Sequence, residues 1–267
     1  DVKIIEQIFK GKHIYNKILE KSNKTLFLIG ESVLNREDSR GILGRIRDIA
    51  KKYNSYSDKW NGIGVLHTSA NRVGALEAGF VPGEGGLNTR EIIEGTKNKK
   101  IKLLWLLGYD EEIIEKDSSA FIIYQGHHGD FGAESADLIL PGSAYTEKNG
   151  TYINTEGRVQ RTYAAVPAPG NAKEDWKIIR AFSEYIDKTL PYNNISQLRA
   201  YLENINKNFV IENSLLKAET TDIGDIKVKL KNASIKPLKM NYFMTCPISR
   251  SSETMAKCSI AKSKLGM

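Results

Sequence analysis

Cysteine is nearly absent from this sequence. Its 267 residues include only Cys246 and Cys258, both near the C-terminus. Two thiols cannot form a disulfide framework, which indicates a reducing compartment. Because an iron–sulfur cluster usually needs four thiolates, the chain alone is expected to hold none.

Long apolar runs are missing as well. The longest, TLFLIG and IKLLWLLG, fall well short of the roughly 20 residues that a transmembrane helix needs, so the sequence predicts no direct membrane insertion. The charged, apolar and small-residue layout of a signal peptide is also absent. The chain begins at Asp1 without a methionine, and we expect that a preceding part was removed or is encoded elsewhere.

Charge of one sign is not concentrated in any one stretch. The formal net charge is +7, which would suit a nucleic acid or an anionic membrane, but the lysines are spread along the chain rather than gathered into a stripe. We interpret them as a solvated surface and predict no nucleic-acid partner.

What the sequence does contain is an alternation of strand and helix signals. Ile42, Ile46, Ile49 and Tyr53 share one face of a helix predicted over 39–53. The candidate strands are continuously apolar, as strands buried on both faces require, and they cover 25–29, 62–68, 102–108, 120–126 and 136–142. The pattern predicts an α/β fold with a doubly wound, mostly parallel sheet.

The ends of the chain differ from this central pattern. Residues 1–23 are predicted to be a helical lead-in and 24–190 an α/β domain, with a β-hairpin excursion at the turn signals Asn149-Gly150 and Glu156-Gly157. Residues 191–267 are predicted to contain one helix, near 196–207, followed by an extended C-terminal tail. We expect the folded body to end near Asp187 and the tail to order on another surface.

The segment FIIYQGHHGD, residues 121–130, holds the most conspicuous polar residues. His127, His128 and Asp130 follow an apolar run, where an α/β protein places ligands, and a histidine there could act as a general base. Adjacent histidines on an extended strand end would point to opposite faces, which disfavours a shared metal; Glu134 and the distant His67 are the other available ligands. We favour a structural turn and assign no catalytic residue, with His127, His128 and Asp130 kept as candidates.

A glycine-rich stretch, PGEGGLNTRE at 82–91, could cradle a phosphate through backbone N–H groups. It lacks the Lys-Ser/Thr ending of a P-loop and the Gly-x-Gly-x-x-Gly spacing directly after a strand. We therefore predict a flexible loop rather than a cofactor site.

The segment ADLILPGSAYTEKNGTYINTEGRVQ, residues 136–160, resembles the signature of the molybdopterin oxidoreductase superfamily. FIIYQGHHGDFGAESADLILPG, LHTSANRVGALEAGF, EDWKIIRAFSE and the tail YFMTCPISRSSETMAKC resemble one branch, the largest iron–sulfur subunit (G type) of respiratory NADH:ubiquinone oxidoreductase, complex I. The resemblance extends over nearly the whole chain. Cys246 departs from it, because the branch more often has aspartate there.

The resemblance implies a molybdopterin-oxidoreductase-like domain that acts as a non-catalytic scaffold in the peripheral arm of complex I and supports electron transfer from NADH to ubiquinone. It implies no cofactor in this chain, with iron–sulfur clusters on a missing N-terminal part or a separate cysteine-rich partner. Other peripheral-arm subunits would be its partners, and the tail, 208–267, would dock on them. The expected location is the matrix side of the mitochondrial inner membrane, or the cytoplasmic face of a bacterial one.

Two other interpretations stay open. The chain could be a fragment of a true molybdopterin-dependent oxidoreductase of the formate dehydrogenase type, although a pterin dinucleotide needs several glycine-lined, basic-rimmed loops. It could also be a binding module that shares only the fold.

Overall fold

The structure is a computed structural model that describes residues 2–57, 60–116, 119–214, 221–236 and 240–265. The α-helices in these ranges are α1 (Val2–Phe9), α2 (Tyr15–Lys21), α3 (Ser39–Lys52), α4 (Arg72–Glu77), α5 (Thr89–Lys97), α6 (Phe131–Ser135), α7 (Asp175–Tyr185), α8 (Ile195–Ile205), α9 (Pro247–Arg250) and α10 (Glu253–Lys264). Short 3-10 helices cover Glu31–Val33, Tyr145–Glu147 and Lys207–Val210. The strands are β1 (Phe27–Gly30), β2 (Tyr56–Ser57), β3 (Trp60–Asn61), β4 (Ile63–Leu66), β5 (Leu103–Leu107), β6 (Phe121–Gly126), β7 (Leu138–Pro141), β8 (Gly150–Ile153) and β9 (Val159–Thr162).

The apolar runs form parallel strands, which confirms the α/β class. β5, β6 and β7 make one three-stranded parallel sheet with β6 in the centre, and β1 pairs in parallel with β4 in a separate sheet. In β6 the four residues Ile122 to Gln125 are all buried, as expected for a central strand covered on both faces. Each predicted strand therefore exists, but the described strands lie in more than one sheet.

The chain divides into two compact units that do not follow chain order. The first unit contains Asp1–Gly74, Ile153–Gln160 and Ile211–Lys239. The second contains Ala75–Tyr152, Arg161–Val210 and Met240–Met267. This division differs from the predicted boundaries at residues 23 and 190, because segments distant in sequence pack together.

In the first unit the core includes the buried residues Val2, Ile29, Val33 and Ile42. Part of the predicted tail packs against this core through Leu230. The described residues 221–236 contain no helix or strand, as predicted for an extended segment.

The backbone of that segment is also bound to the first unit. Asp225 N donates to Arg40 O at 2.7 Å, and Lys231 N donates to the Asp38 carboxylate at 2.6 Å. The folded body therefore does not end near Asp187, since this part of the tail orders on its own chain.

In the second unit a core forms around Leu106, Ile114, Ile122 and Tyr124. The tail contributes two helices here, α9 and α10, where the sequence predicted extended chain. Their signals are local capping residues: Pro247 occupies the first turn of α9, and the Ser252 side chain accepts from Met255 N at the start of α10. The apolar residues of α10 do not follow a helical stripe, so periodicity missed it.

Of the two turn signals in 149–157, Glu156-Gly157 lies at the connection between two strands, whereas Asn149-Gly150 is not a turn, because β8 begins at Gly150. β8 and β9 form a two-stranded sheet, and Gly157 adopts a positive φ of 86° in the connection between them. Only glycine takes up that backbone conformation at no steric cost. In the described ranges, no helix is both long and apolar enough to cross a bilayer.

Candidate functional site

The candidate site lies at the carboxyl edge of the β5–β6–β7 sheet. Asp110 follows β5, residues 127–130 follow β6, and Ser143 follows β7. Because parallel strands end at the same edge, polar residues after successive strands come together, and α/β proteins bind ligands there. The structure therefore places all three sequence candidates, His127, His128 and Asp130, where a ligand site would be expected.

The two histidine rings are in contact, edge to face. His127 Nδ1 and His128 Nδ1 are 2.7 Å apart, and the ring planes are nearly perpendicular at 87°. The prediction that they point to opposite faces is wrong, because the pair lies in a bend beyond the end of β6, where strand alternation no longer applies. Burial, followed by the neighbouring His128 and Lys148, lowers the pKa of His127, which favours a neutral ring.

The turn itself is held by short-range contacts. Tyr124 Oη donates to His128 O at 3.1 Å, and Phe131 N donates to the Asp130 carboxylate at 3.0 Å, which caps α6. A Cβ at Gly126 would overlap the Tyr124 hydroxyl, whereas a Cβ at Gly129 would meet no atom within 4 Å. Gly126 is thus required by the close approach of the tyrosine.

Arg250, from α9, completes the site, and sequence reasoning missed it. Its Nη2 lies 2.8 Å from Asp110 Oδ1, and its Nε donates to Asp130 Oδ2. Nothing in the local pattern around Arg250 marks it, because its partners are 120 and 140 residues away. The segment from Cys246 to Arg250 carries a family resemblance, but that resemblance does not reveal the contact.

Asp110 is the most buried charged group of the site, with a side chain only 3% exposed. Burial raises its pKa, and the Arg250 charge and hydrogen bond oppose that shift. Its second oxygen, Oδ2, has no hydrogen-bond partner among the described residues. A buried carboxylate is costly when its charge and its acceptors are left unpaired. The ion pair with Arg250 at Oδ1 therefore stabilises Asp110 in its buried position.

A second polar group lies at the same edge. Gln125 Nε2 donates to Asp175 Oδ1 at 2.9 Å, and Lys148 forms an ion pair with Asp175 Oδ2. Gln125 Oε1 and Ser143 Oγ are buried without a partner in the described part of the chain. The edge is therefore polar: Arg250 and Lys148 form ion pairs with its aspartates, while several of its buried oxygens have no partner among the described residues.

A metal centre is not assembled from the predicted ligands. Within the residues that the structure describes, no three side chains of His, Cys, Asp or Glu form a group that could hold a metal ion. His67 belongs to the first compact unit, whereas His127, His128, Asp130 and Glu134 belong to the second.

Comparison with known proteins gives the family. The family model "Molybdopterin oxidoreductase" matches residues 1–185, and the model for the C-terminal part of the G subunit of NADH-ubiquinone oxidoreductase matches residues 210–258. This chain belongs to the molybdopterin oxidoreductase family.

Individual members of this family are similar over nearly the whole chain. The NADH-ubiquinone oxidoreductase 75 kDa subunit of Reclinomonas americana is 44% identical over 97% of the chain, and the mitochondrial 78 kDa subunit of Candida albicans is 45% identical over 97%. The G subunit of the NADH-quinone oxidoreductase of Rickettsia typhi is 40% identical over 98%. The chain spans 36 to 37% of the length of these three relatives.

Membership of the molybdopterin oxidoreductase family implies a pterin cofactor, and such a group makes definite demands on the residues around it. Its phosphates require basic side chains or free backbone N–H groups. At the sheet edge Asp110 and Asp130 instead present carboxylates, and Arg250 is already paired with both. The residues at this edge do not fit an anionic cofactor.

The glycine-rich loop at 82–91 gives the same result. It leads into α5, whose first turn is closed by a capping box: the Asn88 side chain accepts from Glu91 N at 3.1 Å, and the Glu91 carboxylate accepts from Asn88 N at 2.8 Å. The Glu91 charge lies where a phosphate would be attracted to the helix terminus. The loop therefore does not fit a phosphate either.

Cys246, which departs from the family pattern, caps the start of α9. Cys246 precedes α9 at its N-cap, and its Sγ accepts from Ser249 N at 3.5 Å. Burial opposes ionisation of the thiol, but hydrogen bonds from Ser249 and Ile248 and the Arg250 charge outweigh it and lower the pKa of Cys246. Cys246 and Cys258 are both free thiols.

Proposed function

We propose that this chain is a non-catalytic scaffold within the large iron–sulfur subunit of a complex I peripheral arm, where it supports electron transfer from NADH to ubiquinone. The observation that carries the proposal is the closure of the sheet edge by the chain's own residues. In an α/β enzyme that edge is open to substrate or cofactor. Here a tail arginine is paired with both carboxylates that face it.

The similarity to the 75 kDa, 78 kDa and G-type subunits supports the same proposal, since it extends over 97 to 98% of the chain. In this proposal the iron–sulfur clusters are held by a separate cysteine-rich chain or by a further part of the same protein, and this chain carries no cofactor. Its location would be the matrix side of the mitochondrial inner membrane, or the cytoplasmic face of a bacterial membrane.

The outer face of the tail supports contact with other subunits of the arm. Tyr242 is 69% exposed and Ile260 is 56% exposed, so both can still gain apolar burial against a neighbour. The tail would then have two roles: its Arg250 end binds the second unit of this chain, and its exposed apolar side chains contact another peripheral-arm subunit.

The test is assembly. A tagged chain is expressed in its source organism, the membranes are solubilised, and native electrophoresis is followed by an NADH dehydrogenase stain. We expect the tag to co-migrate with the activity, and an Arg90→Ala variant, altered at a solvent-exposed pair with Glu94, to assemble normally. A tag that never migrates with the activity would contradict the proposal.

The second candidate function is a molybdopterin-dependent oxidoreductase, which the family match over residues 1–185 favours. The two candidates differ in the purified chain. The scaffold is colourless, releases no fluorescent pterin on denaturation and contains no molybdenum by mass spectrometry. Stoichiometric pterin or molybdenum in the preparation would establish the second candidate instead.

A further inference from the structure

The contact between Arg250 and its two aspartates has the geometry of a binding site. The guanidinium uses Nη2 toward Asp110 Oδ1 at 2.8 Å and Nε toward Asp130 Oδ2, and Nη2 also lies 3.4 Å from Asp110 O. Donors on two different nitrogens thus reach acceptors from two different loops. A planar guanidinium offers such divergent donors in a fixed fork, whereas a lysine ammonium does not.

The two acceptors come from segments outside the tail. Asp110 is a buried residue in the loop that follows β5, and Asp130 is held at the start of α6 by Phe131 N at 3.0 Å. Asp110 also keeps one buried oxygen, Oδ2, without a partner among the described residues, although its side chain is only 3% exposed. A buried acceptor without a donor indicates capacity for a further N–H group.

The rest of the tail contributes little burial of its own. Within the described range 240–265, α9 and α10 contain no fully buried residue. Because the apolar residues of these helices are at most partly buried, the charged contacts of Arg250 contribute to holding them in place.

We propose that Asp110 and Asp130 form a guanidinium-binding site, that Arg250 is its resident ligand, and that a free alkylguanidinium can replace it. The ligand class is set by the two carboxylates and the forked donor geometry. Residues 240–265 are then held to the rest of the second unit by an exchangeable ligand. This inference does not depend on the proposed function, because it concerns the isolated chain.

The experiment is chemical rescue in the 267-residue chain. Hydrogen exchange of peptides from 240–265, and of peptides that cover β5, Asp110 and α6, is measured by mass spectrometry for the parent chain, for Arg250→Ala and for Arg90→Ala. Arg250→Ala is expected to increase exchange in both sets of peptides about tenfold or more, since charged hydrogen bonds are lost. Arg90→Ala is expected to leave it unchanged.

Ethylguanidinium at millimolar concentration is then added to the Arg250→Ala chain. Because ethylguanidinium supplies the guanidinium donors that the variant lacks, we expect much of the protection from hydrogen exchange around β5, α6 and Asp110 to return. Ethylammonium or urea at equal concentration should have little effect. The rescue is expected to disappear in the Arg250→Ala/Asp110→Asn double variant. If Arg250→Ala loses its near-ultraviolet circular dichroism, Arg250→Lys replaces it, and ethylguanidinium should then increase its protection.

Three results would overturn the proposal. Unchanged exchange in both Arg250 variants would show that the tail is anchored elsewhere. Equal rescue by ethylammonium would show a general cation site, and equal rescue in the Asp110→Asn background would show that Asp110 is not part of the binding site.

Discussion

Arg250 Nη2 lies 2.8 Å from Asp110 Oδ1, although the two residues are 140 positions apart in the chain. The pair is also asymmetric in burial, with the aspartate side chain 3% exposed and the arginine 19% exposed. Losing the arginine leaves a buried carboxylate without its cation, whereas losing the carboxylate charge leaves an arginine that can reach water and still contact Asp130. This asymmetry determines the first prediction.

Arg250→Ala is predicted to lower the free energy of unfolding by about 2 to 4 kcal/mol, somewhat below the range for a fully buried pair. Asp110→Asn is predicted to cost less, because it removes the buried charge and keeps the side-chain shape. The double variant should be more stable than Arg250→Ala alone by about 1 kcal/mol or more. Urea unfolding of the parent chain, the two single variants and the double variant measures these four free energies of unfolding. If the effects of the two substitutions simply add, the predicted coupling between Arg250 and Asp110 is wrong.

Deletion of residues 240–267 is predicted to lower the melting temperature of the isolated chain. The sequence alone favoured no change, on the view that the tail docks only on partners, but the deletion removes Arg250 and leaves Asp110 unpaired. In an Asp110→Asn background the same deletion should lower the melting temperature clearly less, because no buried charge is left unpaired. A melting temperature unaffected by the deletion would restore the original view of the tail.

The histidine pair predicts a pH dependence. Because the pKa of His127 is lowered in the folded chain, the unfolded chain binds a proton first as the pH falls. The stability contributed by the neutral ring is therefore present above the ordinary histidine pKa of 6.5 and is lost as the pH falls through it toward the lower folded value. Unfolding curves between pH 8 and about pH 5 measure the slope.

His127→Asn should reduce that slope and lower stability near pH 8 by about 1 kcal/mol where a buried hydrogen bond is lost. His13→Asn, which alters a ring that accepts a local bond from Tyr15 N, is the matched control and should keep the slope. Electron transfer per assembled complex should be unchanged in His127→Asn and in His128→Asn. Normal assembly with abolished turnover would identify a catalytic histidine.

Two glycines of the same turn should respond differently to alanine. Gly126→Ala is predicted to destabilise the chain by about 1 to 3 kcal/mol, because its Cβ would overlap the buried Tyr124 hydroxyl, which is bound to His128 O. Gly129→Ala, with no atom within 4 Å of its Cβ, should change stability by less than about 0.5 kcal/mol. Thermal unfolding of the two variants makes the comparison, and equal effects would show that the turn is not constrained at Gly126.

The thiol of Cys246 is predicted to react faster than that of Cys258. Cys246 is exposed and its pKa is lowered, so more of it is thiolate at neutral pH. Iodoacetamide labelling followed by peptide mass spectrometry gives both rates. Ser249→Ala removes the side-chain hydrogen bond between Cys246 Sγ and Ser249 Oγ, which helps to lower the pKa of Cys246, and should therefore slow labelling of Cys246 at pH 7 while leaving Cys258 unaffected. Faster labelling of Cys258 in the parent chain would refute the assignment.

The sequence by itself determined the secondary structure that forms through local interactions and the family to which the chain belongs. Continuous apolar runs placed β1 and β4 to β7, the spacing of isoleucines placed α3, and the turn residues placed the β8–β9 connection, because each of these signals depends on neighbours within a few residues. Family resemblance was readable for the same reason, since its motifs are contiguous.

Only the tertiary structure decided how distant segments combine. The packing of Leu230 on the first core depends on a segment that returns from far along the chain. The contact between the adjacent His127 and His128 rings is local, but it depends on a bend that strand alternation does not predict. The pairing of Arg250 with Asp110 and Asp130 has no local signature either, because a charged residue on a short helix has the same pattern whether it faces water or a buried carboxylate. Such contacts are selected by long-range burial and charge compensation, which periodicity along the chain does not encode.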